Sequence, residues 1–335
     1  MTNGASLRLC SLACTLLLFA AGCATTPAAP PASRYFVDDP VDLLPDLGAA
    51  LYVNVPRLRA EEALWAHLLE RFTAEEDVEA DRQRLRRFAE QAETLVVGLG
   101  PELGDDPSVL LVIRTRDVPI VSEAGLVLDA PTELGSDGFR RGQIGDDDLV
   151  VVDAYTAVIF EAGLRTAMAA VLSKQPGRRF KDEAAYQGLA SEVAFGSAPV
   201  ALLGVLPPRV LEQVNDRVPP AMRPLARAMS TVQYYGGLLD VGDAINLRLS
   251  LRGRSTNDMA LLTGALILLK NALVSSNDEP ELARMAAKLQ VELREQILTL
   301  SYAMSRAELL EGVKGLRFDA DEVEEEASPP RGEEI

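Results

Sequence analysis

One histidine, His67, and three cysteines, Cys10, Cys14 and Cys23, are all the imidazole and thiol that this 335-residue sequence contains. A metal site built on His67 would need partners that are neither histidine nor cysteine, so zinc is not expected. Nor can a Ser-His-Asp or Cys-His arrangement be built easily, because His67 sits in the amphipathic stretch LWAHLLERF and the sequence has no Gly-x-Ser-x-Gly. His67 reads as a solvated helix histidine. In VVGLGPELGDD, Gly98, Gly100 and Gly104 miss the dinucleotide fingerprint by one position and precede a hairpin, so turns requiring positive φ account for them better.

Carboxylates are the remaining catalytic currency, with Asp146, Asp147 and Asp148 standing in a row before LVVVDAY. Two carboxyl groups held roughly 5 to 10 Å apart can hydrolyse a glycoside. A sugar cleft also displays aromatics, however, and the sole tryptophan, Trp65, sits at helical spacing with Leu68 and Leu69, which assigns it to the core. Tyr234 and Tyr235 are neighbours on a strand and face opposite sides, so at most one of them lines a groove. No catalytic residue, metal ligand or cofactor-binding residue emerges. Two functions from different classes stand side by side: a non-catalytic binding or scaffolding module for an envelope protein or apolar ligand, and a carboxylate-dependent envelope hydrolase. A polar cleft with two facing carboxylates of shifted acidity would separate them.

Cys23 has a different use. Arg8 is the only charge before it, and the apolar run from Leu12 to Ala21 is half the roughly 20 residues a spanning helix needs, which is the length of a signal-peptide core. Ala20, Ala21 and Gly22 then lead into the cysteine. This stretch, LLLFAAGC, resembles the lipobox of bacterial lipoproteins over about residues 8 to 27, departing from it at Ala20, where leucine is commonest. The resemblance implies that residues 1–22 are removed, that Cys23 carries acyl chains, and that the protein is lipid-anchored in the cell envelope. Ala24, where an aspartate would retain the protein at the inner membrane, points to the outer one. The alternative is an ordinary secretory signal cleaved after Ala24. Cysteine usage favours lipidation, since Cys10 and Cys14 leave with the signal and a lone thiol at the new N-terminus makes no internal disulfide. Two or three acyl chains, at about 0.8 kcal/mol per buried methylene, hold firmly where one binds reversibly.

The flanks are compositional. Residues 23–40 include ATTPAAPPASR, a tether that in a polyproline-like extension reaches roughly 35 Å. Residues 319–335, DADEVEEEASPPRGEEI, form an acidic tail too poor in large apolar groups to order itself. The formal charge of −17 excludes binding to nucleic acid or to anionic membrane surfaces through the body.

Between tether and tail, three pairs of segments answer one another in the same order. AALYVNVPRLRAEEALWAHLLERF (49–72) and APVALLGVLPPRVLEQVNDRVPPAM (198–222) each run strand, Val-Pro or Leu-Pro exit, amphipathic helix. ETLVVGLGPELGDDPSVLLVIRTR (93–116) matches TVQYYGGLLDVGDAINLRLSLRGR (231–254), each a hairpin ending in arginines. Residues 147–172 match 295–316, each a strand and a closing helix. The expected fold is therefore α+β: two tandem duplicated units, 41–175 and 183–318, each an antiparallel or mixed sheet with helices on one face. The polar, basic stretch 173–183, SKQPGRRFKDE, is the boundary. Leu43, Leu44 and Pro45 followed by Tyr52 and Val53 also resemble the opening of uncharacterised bacterial envelope lipoproteins, a likeness that brings no activity with it.

Two inserts distinguish the units. AEEDVEADRQRLRRFAEQAE has one apolar face made by Val78, Leu85, Phe88 and Ala92. TNDMALLTGALILLKNALV (256–274) is apolar nearly all round and is expected to be buried between the sheet and its neighbour at 280–292.

Overall fold

The computed structural model describes residues 36–62, 64–66, 69–70, 79–100, 107–120, 132–174, 179–180, 184–206, 228–241, 244–275 and 280–309. Cys23 with its signal and most of its tether, His67, Gly104, the helix expected near 207–222 and the acidic tail lie outside them.

In chain order the strands are β1 (Ala49–Asn54), β2 (Ala92–Leu99), β3 (Val109–Thr115), β4 (Thr132–Leu134), β5 (Arg140–Ile144), β6 (Asp147–Asp153), β7 (Thr156–Phe160), β8 (Val200–Val205), β9 (Val232–Val241), β10 (Ile245–Gly253), β11 (Gln290–Arg294) and β12 (Ile297–Met304). The α-helices are α1 (Val55–Arg59), α2 (Glu79–Gln91), α3 (Arg165–Leu172), α4 (Ala184–Glu192), α5 (Thr256–Val274) and α6 (Pro280–Lys288). All strands join one antiparallel sheet in the order β11-β12-β10-β9-β8-β1-β2-β3-β7-β6-β5-β4. Its centre is the β1–β8 pair, in which Leu51 stands opposite Leu202.

One sheet forms, where two were expected, because β1 and β8 are apolar on both sides and each needs a neighbour at both edges. Five of the six residues of β1 and all five of β7 are buried. For the same reason helices cover both faces, correcting the expectation of one. Ala50, Tyr52, Val96, Val112 and Val158 point to a front layer made by the turn Pro40–Leu43, α3 and α4. Leu51, Val53 and Val97 point to the back, where α1 and the helical residues around Leu64 and Trp65 pack. Phe88 of α2 extends that back layer over Ile113, Leu149 and Ile159.

Three local readings change. LVVVDAYTAVIF is a hairpin, β6 and β7, because Asp153 Oδ1 accepts from the Tyr155 amide at 2.9 Å and turns the chain, as short polar side chains do. Gly98 makes no turn: it lies inside β2, and a Cβ there would stand 2.5 Å from Leu47 Cδ1, so the glycine is clearance for that leucine. The boundary stretch is no free linker either, since Phe180 is only 1% exposed, stacks on Tyr186 at 4.4 Å between centroids, and donates its amide to the Pro45 carbonyl at 3.1 Å.

The N-terminal entry is fixed by a buried cation. Asn54, Thr94, Arg114 and Thr156 form one cross-strand row on the front of the sheet. Arg114, read from sequence as marking the end of a strand, is 4% exposed and donates to the carbonyls of Val37 and Asp38 at 2.7 and 2.8 Å and to Thr156 Oγ1 at 3.2 Å. Phe36 donates its amide to Asp153 Oδ2 at 2.8 Å and makes an edge contact with Phe139.

Candidate functional site

An open apolar cavity of about 340 Å³ lies on the back of the second half of the sheet. Strand alternation builds it: β8 supplies Val200 and Leu202, β9 supplies Leu239 beside Gly237, β10 supplies Leu247 and Leu249, and β12 supplies Leu300 and Tyr302. Gly237 deepens it, having no side chain where its cross-strand partners Leu202 and Leu249 stand on either side. Leu289, after α6, adds to the lining, and among the described residues no carboxylate belongs to it. The equivalent back surface of the first half is filled by Phe88, Val118 and Ile120, whereas here Leu247 and Leu249 remain 37% and 40% exposed.

The helix expected to be buried between the sheet and its neighbour at 280–292 sits at the margin of the sheet. α5 begins with Ser255 capping the Asp258 amide, and it packs Met259 and Leu262 with Leu251 and Leu298 near the β11 edge. Only those two side chains of α5 are buried. Leu261 and Leu268 are 71% and 72% exposed, and none of the helix's exposed residues carries a charge. The expectation of burial fails because a helix apolar on every side needs partners on every side, and the sheet margin offers one. Among the described residues, α5 is the one helix long and apolar enough to cross a membrane.

The candidate chemical groups do not converge. Asp148 pairs with Arg165, with its second oxygen 3.1 Å from Arg165 Nη2. Burial, then the charges of Asp146 and Asp148, push the Asp147 carboxyl above its usual range. These three are consecutive on one strand end and belong to the first half, whereas the cavity belongs to the second. Among the described residues, no group of three or more His, Cys, Asp or Glu side chains could hold a metal ion. Trp65 is partly buried against the back cluster. Tyr234 faces the front, edge-on to Tyr186 at 5.6 Å, and Tyr235 covers Gly204 on the back, so neither lines the cavity.

No protein-family model matches this chain, and no curated protein sequence does. Three solved structures of TP0453, crystal forms III, I and IV, are similar to it at 12%, 14% and 12% identity and TM-scores of 0.47, 0.44 and 0.46. They cover 83%, 84% and 82% of this chain and 98%, 98% and 96% of their own.

A short helical stretch, residues 306–309, follows β12. Ser305 and Glu308 form a reciprocal capping box: the Glu308 amide donates to Ser305 Oγ at 3.2 Å and the Ser305 amide to Glu308 Oε2 at 2.8 Å. Glu308 also pairs with Lys288 of α6, and Arg306 pairs with Glu61 beyond α1, so the stretch is fastened on both sides. The Lys288 ammonium, followed by the Ser305 bonds, lowers the Glu308 carboxyl from 4.5 to about 2. A depressed carboxyl contributes stability that is complete above its unfolded value and lost as pH falls through the folded one. The expected result is that amides 305–309 keep their hydrogen-exchange protection, measured relative to the β-sheet, down to about pH 4.5 and lose it toward pH 2. Glu308→Gln should abolish that pH dependence; unchanged dependence would refute the assignment.

Proposed function

We propose that this chain is a non-catalytic envelope lipoprotein, anchored at the outer membrane through acylated Cys23, that binds an apolar ligand in the cavity on the back of its second half. The observation that carries the reading is the cavity itself: leucines exposed on a sheet face, no carboxylate among the described lining residues, and a volume at the lower end of the roughly 300–1,000 Å³ typical of ligand pockets. The carboxylate-dependent hydrolase has no such observation behind it.

The duplicated body belongs to the same proposal. What supports it is the strand order outward from the central pair, β1-β2-β3-β7-β6 in one direction and β8-β9-β10-β12-β11 in the other. Two of the three sequence pairings follow this order, β1 with β8 and β2–β3 with β9–β10, and the third sets β6 and β7 against β12, with β11 outside 295–316. In this reading the inserts decide the function, because the first unit lays α2 over its back surface while the second places α5 at the margin and leaves leucines open.

Two experiments test the parts separately. N-phenyl-1-naphthylamine, which fluoresces in apolar surroundings, should bind the protein, and Leu249→Arg should weaken binding at least tenfold while changing stability by less than about 1 kcal/mol, as for an exposed position. Equal binding by the two proteins would dispose of the cavity as the site. In detergent phase partitioning of the expressed protein, the natural chain should enter the detergent phase and Cys23→Ser the aqueous phase; identical partitioning would sink the anchor.

A further inference from the structure

The cavity is a trough laid across the strands. Val200, Leu239, Leu247 and Tyr302 stand opposite one another as a single cross-strand row on β8, β9, β10 and β12, and beside it runs a second row thinned by Gly237. The two ends differ. At β8 the first row continues onto Val53 of β1, where α1 packs through Val55 and Leu58 and closes the trough with apolar groups. At β12 it runs out past Tyr302 to Leu289, and there cations gather: Lys288 is the preceding residue, and Lys270 of α5 donates from its ammonium to the Leu289 carbonyl. Glu308 first, and the Tyr302 hydroxyl more weakly, raise the Lys288 ammonium, which sets that phenol near the charge. Lys288 is engaged by Glu308, whereas among the described residues Lys270 meets no carboxylate. In a chain of formal charge −17, an ammonium bonded only to a carbonyl at the mouth of an apolar trough is a place for an anion.

We infer that the ligand is a single-chain amphiphile with an anionic head: its alkyl chain lies along the trough with the tip at β8, and its carboxylate or phosphate meets Lys270 at the β12 end. The length fits. Three strand spacings make the trough roughly 14 Å long, which an extended chain of about twelve carbons fills at roughly 1.2 Å per bond. The alkyl chain supplies affinity by leaving water for the leucines, and the head supplies direction, because Lys270 exchanges a neutral acceptor for a charged and stronger one. A cationic head would face the two lysines, and a neutral head would gain no charge-assisted bond. This rests on the reading of the cavity as a binding site and adds the chemistry of its occupant.

The test uses the full chain in detergent and two photo-probes, dodecanoate and dodecanol, each carrying a diazirine at the tip of its chain. After irradiation, mass spectrometry should find the dodecanoate label on β8 or β1, within residues 200–205 or 49–54. Unlabelled dodecanoate should block that labelling at about one tenth of the concentration needed with dodecanol or dodecyltrimethylammonium, the effect of one charge-assisted hydrogen bond. Lys270→Gln should erase this advantage without changing the block by dodecanol, and Lys270→Arg should restore most of it. Equal blocking by the three compounds, a label at the Leu289 end, or an advantage that survives Lys270→Gln overturns the inference, while labelling of the trough by the dodecanol probe leaves the binding reading standing. If neither probe labels the trough, the binding reading fails and this inference with it. A fourth competitor, lauroyl lysophosphatidylglycerol, separates the sources: blocking at lower concentration than dodecanoate assigns a membrane lysolipid, and the reverse assigns a free fatty acid.

Discussion

Replacing Arg114 with methionine is expected to lower the free energy of unfolding by about 3 kcal/mol, within a range of roughly 2–5, measured by denaturant titration. The size follows from what the guanidinium satisfies. Arg114 is nearly fully buried, and its three nitrogens reach the carbonyls of Val37 and Asp38 and the Thr156 hydroxyl. Methionine preserves much of the apolar stem but leaves those acceptors without a donor, and each unmet buried group costs about 1–3 kcal/mol unless water reaches it. Water can reach it only if residues 36–39 lift from the sheet. The substitution should therefore also open the chain near Phe36 to proteolysis before global unfolding. Lysine, with one point of charge where arginine has a fork, should recover part of the stability. A loss under about 0.5 kcal/mol for methionine would show that the cation does not hold the entry strap.

The second large effect is expected at Phe180. Its ring contacts Tyr186 at 4.4 Å and Phe195 at 5.9 Å, with no appreciable exposure, in the front cluster that runs beneath α3 and α4. Phe180→Ala should cost about 3–5 kcal/mol, the loss of transfer free energy plus the cavity left between rings held from several elements. Phe180→Leu should cost markedly less, because it refills most of that space. The position matters as much as the size. Phe180 lies between the two halves of the chain, and Pro45 from the start of the first half accepts its amide bond. Loss of the ring should lower the coupling between halves, seen as a broadened or two-step denaturant transition where the natural chain shows one. A single transition with unaltered slope and a shift below about 1 kcal/mol would assign the halves' cohesion to the β1–β8 pair alone.

What the sequence made legible, and what it did not, divides along a physical line. The strand AALYVN and the hairpins at 93–116 and 231–254 were readable because apolar and β-branched residues bounded by glycine and aspartate form strands whatever lies around them. LVVVDAYTAVIF defeated the same reasoning, since a strand buried on both faces shows no alternation, and the turn rests on one Asp153 side chain. Arg114 and Phe180 were hidden for a related reason: Arg114 reads as one of the arginines that end a strand, Phe180 falls in a polar, basic stretch, and only tertiary contacts bury them. The composition of α5 reported correctly that it is apolar all round. It could not report that the sheet ends beneath it. The cavity was foreseeable only in outline, from the expected duplication with unequal inserts, and its lining depends on which insert covers which surface.

The row that holds Val37 and Asp38, with Phe36 pinned to Asp153, also decides which way the molecule faces. These residues enter on the front of the first half, at β6, whereas the cavity opens on the back around β10, seven strand spacings away, or about 34 Å. Whatever grips the chain by the residues before Phe36 grips it by the opposite side and the opposite half. If acylated Cys23 is the anchor, as proposed, the tether joins the sheet on the face and half opposite to the cavity, and an apolar ligand would reach the cavity without passing that junction.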